Sequence, residues 1–525
     1  MEGYDSSLRR RELLAGIGAG SVVTLTGCAA DARTPSGPKL RLGTLYPPVT
    51  LDPIEAQDVG SRQAINRVFD GLYAYGAGTD IVPRIATGRP TVSNGGRRVD
   101  VTIDERARFQ NDRPVTAADV RYSFEAPVEE EAATEWMVDV LESVEVVDER
   151  TVSFRLQEPY PAFPHTLTRP IVPKEAREAD RESFATDPVG SGPFEVRKFS
   201  EEKKAQLVRW DEYWGEPKPA IAQLTFAYVE SPLTLMMGLR TGRNDAIEPV
   251  SPQVADDIRD VTGASVKRRA GYRTYYLGFN LNQGPTTKPK VREAISHCVD
   301  LDEVVRELVE PSGSRVYSPL PRRVAENWEM PIEQWRQIPV RKNTDRARQL
   351  FREAGETGGQ FEILTSKDPL WKEFGEALAG GLRNAGHGAL VTSKPWKRYL
   401  ETFVSGSESD YSIFVGGIAG TPDPDSFLYP TFHENMIGRT NGVFYTDDEV
   451  MTRLTEARET TDRARRRGLY ETAITRLLTD RVCLPLCSFE NSFAVSDRVR
   501  DFRVHPITEV NPQLTTDDRV VGVDS

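Results

Sequence analysis

Strand-like and helix-like stretches alternate along the whole chain, and that interleaving restricts the fold more than any other feature. Leu40 to Leu45, Val99 to Ile103 and Thr151 to Leu156 alternate in the manner of half-buried strands. Thr116, followed by Asp119, predicts a capped helix that buries Val120 and Phe124. The second half is more regular. Val291, Ile295 and Cys298 share a helix face ending near Val299, after which Asp300 caps a helix with Glu303 in the capping-box position. That helix turns Val304, Val305 and Leu308 inward. Ala347, Leu350, Phe351 and Ala354 form a stripe closed by Gly355. Phe361 to Leu364, the helix carrying Leu370, Phe374 and Leu378, and Ala389 to Val391 read as a βαβ unit. Thr446 and Glu449 predict a capping box ahead of Val450, Leu454 and Ala457. A helix with Leu469, Ala473 and Leu477 then leads to a strand, Val482 to Phe489. The expected class is α/β.

A chain of 525 residues exceeds one core, so two or three domains are expected. A hydrophobic content of 38% and a mean hydropathy of -0.47 fit a soluble globular body. The net charge of -12 argues against nucleic acid as a partner. The 14 lysines against 53 arginines suit a high-salt exterior and a GC-rich coding sequence equally.

The N-terminus is laid out for export. Arg9, Arg10 and Arg11 precede an apolar or small run, Leu13 to Leu25, too short to span a bilayer. The paired arginines resemble a twin-arginine signal, and Leu25-Thr26-Gly27-Cys28 resembles a lipobox. The expectation is an export signal over 1–27, lipidation at Cys28 and a flexible tether over 28–39. An uncleaved helix or an unlipidated export substrate are the alternatives. The other three cysteines, Cys298, Cys483 and Cys487, read as small buried apolar residues. Cys483 and Cys487 lie about 13 Å apart along a strand and cannot bond each other. A bridge from Cys298 to one of them stays open.

Catalytic chemistry is hard to find. The five histidines, His165, His297, His387, His433 and His505, lie at no metal-ligand spacing. Gly16 to Ser21 imitates a dinucleotide loop without a preceding strand, and Gly190-Ser191-Gly192 leads into a strand rather than a helix. Asp423 and Asp425 are a paired-carboxylate candidate, but Pro422 and Pro424 interleave them and no third ligand follows. No cofactor and no metal is expected, and an enzyme, an exported hydrolase using that acid pair, is the minor alternative.

Several segments together resemble one family. Arg108 to Phe124 resembles the "FHDGTPVTAEDVxFSFE" signature of the extracytoplasmic solute-binding proteins of dipeptide/oligopeptide ABC transporters (family 5). Asp187 to Phe194, Asp211 to Pro219, Tyr276 to Asn280, Val291 to Asp300, Asp423 to Leu428 and Phe502 to Pro506 match further family stretches in order. The resemblance implies a two-lobed, periplasmic-binding-protein-like (type II) α/β fold with a discontinuous first lobe and a hinge. Lobe I would take 40–274 and 489–525, with a subdomain at about 60–185, and lobe II would take 275–488. It implies a monomeric receptor that captures a peptide-like small solute between the lobes and hands it to ABC permease subunits. The lipid would anchor it extracytoplasmically, on the outer face of the cytoplasmic membrane. A non-peptide solute such as an oligosaccharide or metal chelate, and a sensor partner in place of a permease, are the alternatives.

One departure matters. Where the family's "WxxDYPDP" stretch places a Trp and an ammonium-binding Asp, this chain has Gly417 and Gly420. A buried ammonium without a carboxylate partner is costly, so either Asp423 or Asp425 substitutes or the solute is not an ordinary free-amine peptide. The cleft residues expected are Tyr46, Tyr275, Trp396, Tyr399, Gly420, Thr421 and Asp423. Trp396 and Tyr399 match the family's "WxxYL" segment, and the aromatic faces would stack on the solute.

Overall fold

The computed structural model describes residues 36–132, 134–338 and 341–524; the export signal and Cys28 lie outside them. Two long strands, Ala264–Phe279 and Cys483–Ser496, run antiparallel through the centre of one sheet. They pair from Ala264 opposite Ser496 to Ala270 opposite Glu490, lose register, and resume from Thr274 opposite Ser488 to Gly278 opposite Cys483. Beyond the first half of the pair lie Ala246–Glu248, Lys39–Thr44 and Gln223–Tyr228, parallel to one another in turn. Lys204–Arg209 and Phe194–Ser200 complete that side. Beyond the second half, Ile413–Ala419 pairs antiparallel with Ala264–Phe279, followed by the parallel strands Gln360–Ser366 and Gly388–Lys394.

Apolar burial follows the same division. One core gathers residues from Tyr272 to Cys487 together with Ile507, with Trp335, Phe414 and Tyr470 among its fully buried side chains. A second joins Leu40 to Phe226 with Phe493 to Val523, so the C-terminal segment completes the body in which the described chain starts. A smaller core lies under the four-stranded sheet of Thr91–Ser93, Arg98–Thr102, Thr151–Leu156 and Leu141–Val146. There Phe124 and Phe163 pack edge-on to Phe154 at 4.9 and 5.4 Å, the geometry aromatic quadrupoles favour.

Local signals behave largely as expected. Thr116 and Asp119 form the full capping box of helix Ala117–Glu129. Asp300 caps helix Leu301–Leu308, of which Val305 is buried while Val304 and Leu308 are half-buried. Gly355 follows helix Thr344–Glu353 at φ +76°, the left-handed stop that glycine adopts without penalty. Helix Pro369–Asn384 joins two parallel strands as a βαβ unit.

Three expectations need correction. Asp447, not Thr446, caps helix Asp448–Glu459, its carboxylate accepting from the Val450 amide at 3.1 Å. The helix through Val291 and Ile295 ends at Ser296, and Cys298 follows in a turn. The last long strand continues to Ser496 rather than stopping at Phe489. Its extension buries Phe493, Ala494 and Val495 in succession, the pattern of a strand covered on both faces. Cys298, Cys483 and Cys487 are all free and buried.

Glu248 ends its strand only 2% exposed, with Oε1 lacking a hydrogen-bond partner. Burial pushes its carboxyl up to about 8, against the Gln63 hydrogen bond and the charges of Arg273 and Arg67. Between its ordinary value of 4.5 and about 8 the folded protein holds a proton that the unfolded chain has released. Stability therefore falls as pH rises through that window. Glu248→Gln keeps the shape and removes the titration. Urea unfolding should show the variant gaining on the wild type by on the order of 2 kcal/mol between pH 5 and pH 8; parallel curves would refute this assignment.

Candidate functional site

A cavity of about 300 Å³ lies between the two bodies. One wall comes from helix Val59–Val68 and the loop around Tyr160 to Pro170, the other from Gly420 to Pro430 and the end of helix Asp448–Glu459. Asp58 caps the first helix by accepting from the Ser61 amide at 2.7 Å. One turn of that helix separates Arg62 from Asn66, whose side chain donates to the Glu509 carbonyl at 2.9 Å and ties in the C-terminal segment. On the facing side, strand Ile413–Ala419 delivers its C-terminal end into the cavity, as ligand-binding edges of α/β sheets do.

Arg458 joins the two walls. Its guanidinium donates to Asp425 Oδ2 at 3.0 Å on its own side and to Asp139 Oδ1 at 2.9 Å on the other. It lies 3.9 Å from the Tyr429 ring centre and 4.8 Å from that of Tyr160, within cation–π range. Tyr160 also donates to Asp425 Oδ2 at 2.9 Å. Asp425 is 2% exposed and its Oδ1 has no partner. Burial raises its carboxyl above the ordinary range despite the nearby Arg458.

His165, also lining the cavity, is lowered to about 4 by burial and by the charge of Arg466, so it is neutral at pH 7. Its Nδ1 lies 3.1 Å from the Tyr75 hydroxyl. Asp70 accepts from the Tyr213 hydroxyl at 2.9 Å, and burial lifts it to about 6. Among the described residues no group of three or more His, Cys, Asp or Glu is placed to hold a metal ion.

Of the residues expected in the cleft, Gly420 and Thr421 line this cavity. Asp423 is spent elsewhere: both its oxygens accept from Arg466 at 2.8 Å, and Arg466 also donates to the Ala457 carbonyl. Both oxygens of Asp423 are thus held by a buried cation. Tyr399 is buried and donates to the Val415 carbonyl at 2.8 Å, while Trp396, 50% exposed, stacks on it. Tyr275 packs edge-on against Trp371 and Phe489. Tyr46 sits under Arg273, whose guanidinium carbon is 5.5 Å from its ring centre.

The two glycines at the family's Trp and Asp positions have steric reasons. A Cβ at Gly417 would come within 2.8 Å of the Tyr275 ring, and one at Gly420 within 2.5 Å of Ser426 Oγ. The residues that dominate the cavity, Arg62, Tyr160, His165, Arg169, Asp425 and Arg458, are scattered over nearly 400 positions and share no local motif. Of these, sequence reasoning pointed at Asp425, both as one of a carboxylate pair and as a candidate replacement for the family's Asp.

The model of the bacterial extracellular solute-binding proteins, family 5 (middle), matches residues 80–438. This chain belongs to that family. Protein XP55 of Streptomyces lividans is 25% identical over 94% of this chain and 92% of its own length. The glutathione-binding protein GsiB of Pectobacterium atrosepticum is 24% identical over 96% and 97%. The periplasmic binding protein DppA of Helicobacter pylori, solved with the peptide STSA, superposes with a TM-score of 0.82 at 21% identity. That match covers 93% of this chain and 98% of DppA. The fold of this family 5 protein is thus the two-lobed periplasmic-binding-protein fold.

The Asp423–Arg466 pair offers a direct test of its structural part. Arg466→Met strands a carboxylate that is 6% exposed, which should lower unfolding free energy by about 3–5 kcal/mol. Adding Asp423→Leu should recover much of that loss in urea denaturation. Additive effects of the two changes would mean the pair is not coupled.

Proposed function

We propose that this family 5 protein is the solute-binding component of an ABC importer, capturing a peptide-like small solute in the interlobe cavity for a permease. The observation that carries this reading is a cavity of about 300 Å³ lined from both lobes and bridged by Arg458. Pockets between domains are where small molecules ordinarily bind, and closure about a hinge is an established switching mode. We place lobe I at 40–274 with 489–525 and lobe II at 275–488. The division of the apolar cores and the lapse in strand pairing between Ala270 and Thr274 support that partition.

The lipid on Cys28 would tether the receptor to the outer face of the cytoplasmic membrane, holding it at high effective concentration near its permease. A monomer suffices for this cycle, since each chain carries both walls of the cavity. Among the described residues no helix is long and apolar enough to cross a membrane. If the anchor exists, Cys28→Ala should move the mature protein from the detergent phase to the aqueous phase in phase partitioning.

Ligand closure gives the main test. Members of a panel of di- to tetrapeptides, glutathione, oligosaccharides and nickel or haem compounds should raise the melting temperature by several degrees through linkage. Tryptophan fluorescence should shift with them. Arg458→Ala, which removes the bridge between Asp139 and Asp425, should weaken any such ligand at least tenfold. Failure of every compound to stabilise the protein, with no small molecule co-purifying in native mass spectrometry, would overturn the proposal. A carbohydrate or chelate hit would instead reassign the solute class.

A further inference from the structure

Where the lobes meet beside the cavity, carboxylates outnumber cations. Lobe I brings Glu135, Asp139 and Glu158 to this seam, and lobe II brings Asp425 and Glu459. The cations are Arg458, shared between Asp425 and Asp139; Arg439, 3.3 Å from Glu135; and Arg97, paired with Glu158. Glu459 forms no ion pair among the described residues and stands near Glu158, where Gly96 of lobe I lies against Thr461 of lobe II. These five carboxylates therefore share three guanidiniums.

The other titratable groups at the seam leave that imbalance in place. Asp423 and Arg466 neutralise each other. His433 and His165 are lowered to about 4 by burial and by the nearby arginines, so both are neutral at pH 7. Burial raises the hydroxyls of Tyr160 and Tyr429, which stay neutral too. Arg62, Arg67 and Arg169 line the cavity but form no ion pair with these carboxylates.

Asp425 has room for a proton at one oxygen. Oδ2 accepts from both Arg458 and Tyr160, whereas Oδ1 is buried without a partner. A proton on Oδ1 removes the negative charge and leaves both contacts to Oδ2 intact. Burial raises Asp139, Asp425 and Glu459 above the ordinary carboxyl range. A neighbouring carboxylate adds to the rise in each case: Asp425 for Asp139, Asp423 for Asp425 and Glu158 for Glu459. Opening separates the two sets and returns them to water, where carboxyls titrate near their usual values.

Resting on the reading of the two lobes as closing about a hinge, we infer that closure takes up a proton from solvent at this seam, at Asp425 Oδ1 with Asp139 as the second acceptor, so that the closed form gains on the open form as pH falls. The sign follows from linkage. Groups that hold protons more tightly in the closed form favour it at low pH, and the advantage is lost as pH rises through their closed-form values. The interlobe bridge is thereby a proton-sensitive latch, tighter in an acid exterior than in a neutral one.

The test measures the interlobe distance in the mature protein. Spin labels go on Val92→Cys of lobe I and Leu390→Cys of lobe II, 58% and 51% exposed, while Cys298, Cys483 and Cys487 are buried. The ratio of closed to open molecules should rise at least threefold from pH 7.5 to pH 5. Asp425→Asn mimics the protonated acid and keeps an acceptor for Arg458 and Tyr160. It should be as closed at pH 7.5 as the parent is at pH 5 and should lose at least half of the pH response. Asp139→Asn should shift in the same direction. A latch that works as a plain ion pair gives the opposite sign, with acid and both asparagine variants opening the lobes. Unliganded melting temperatures check that the variants fold. A closed fraction that ignores pH or rises with it, or asparagine variants that open, would overturn the proton linkage and leave the receptor reading intact. One unchanging interlobe distance at every pH and with every compound of the ligand panel would overturn hinge closure and the linkage with it.

Discussion

The pairing of Ala264–Phe279 with Cys483–Ser496 governs the rest of the molecule. Each strand serves both lobes, so backbone hydrogen bonds tie the two apolar cores together. The ladder shifts register twice, by a single residue between Tyr275 and Tyr276 and over a longer lapse between Ala270 and Thr274, where Gly271 lies against Phe489 and Asn491. A short unpaired stretch in an otherwise rigid ribbon concentrates rotation in a few residues, which is what hinge closure needs. Arg273, within the lapse, leans on Tyr46 from lobe I, so the hinge is braced on one side by a cation–π contact.

Opposite the hinge, Arg458 sets the energetics of the interlobe contact. Its partners are two carboxylates and two aromatic rings drawn from both lobes. Bringing those groups together removes them from water, and such pairs can cost as much in desolvation as they return in attraction. A bridge of this kind specifies one closed geometry without holding it shut unaided. Arg439 and Glu135, 3.3 Å apart, add a more exposed contact across the same gap, worth little by itself.

Local chemistry was legible in the sequence wherever one short segment decides the outcome. Thr116 with Asp119, Asp300, Gly355 and the βαβ unit of Phe361 to Val391 all rest on contacts within a few residues. Asp447 displaced Thr446 because a carboxylate one residue later reaches the same orphan amides and caps at least as well. The strand through Cys483 was cut short at Phe489 since its continuation is buried on both faces and does not alternate. The cavity was mostly illegible. Arg62, Arg169 and Arg458 each look like an ordinary solvated helix or loop arginine until the fold brings them to one space. Asp423, by contrast, carries a strong motif and serves to lock helix Arg463–Thr479 against the loop that lines the cavity.

The paired glycines show how a site can be relocated without changing the fold. Tyr275 occupies the space at Gly417, with Trp371 3.3 Å away, and Ser426 fills the space at Gly420 while its hydroxyl accepts from the Thr421 amide at 3.0 Å. A larger residue at either position would have to displace those groups, so substitution toward the family's Trp or Asp would clash rather than restore a lost contact. Lobe II therefore presents backbone and a committed Asp425 to the cavity at this point. Among the described residues Arg62, Arg67 and Arg169, none of them in an ion pair, line the same cavity. Sterics at these two glycines, rather than any change of fold, thus decide what the Gly420 wall presents to the cavity.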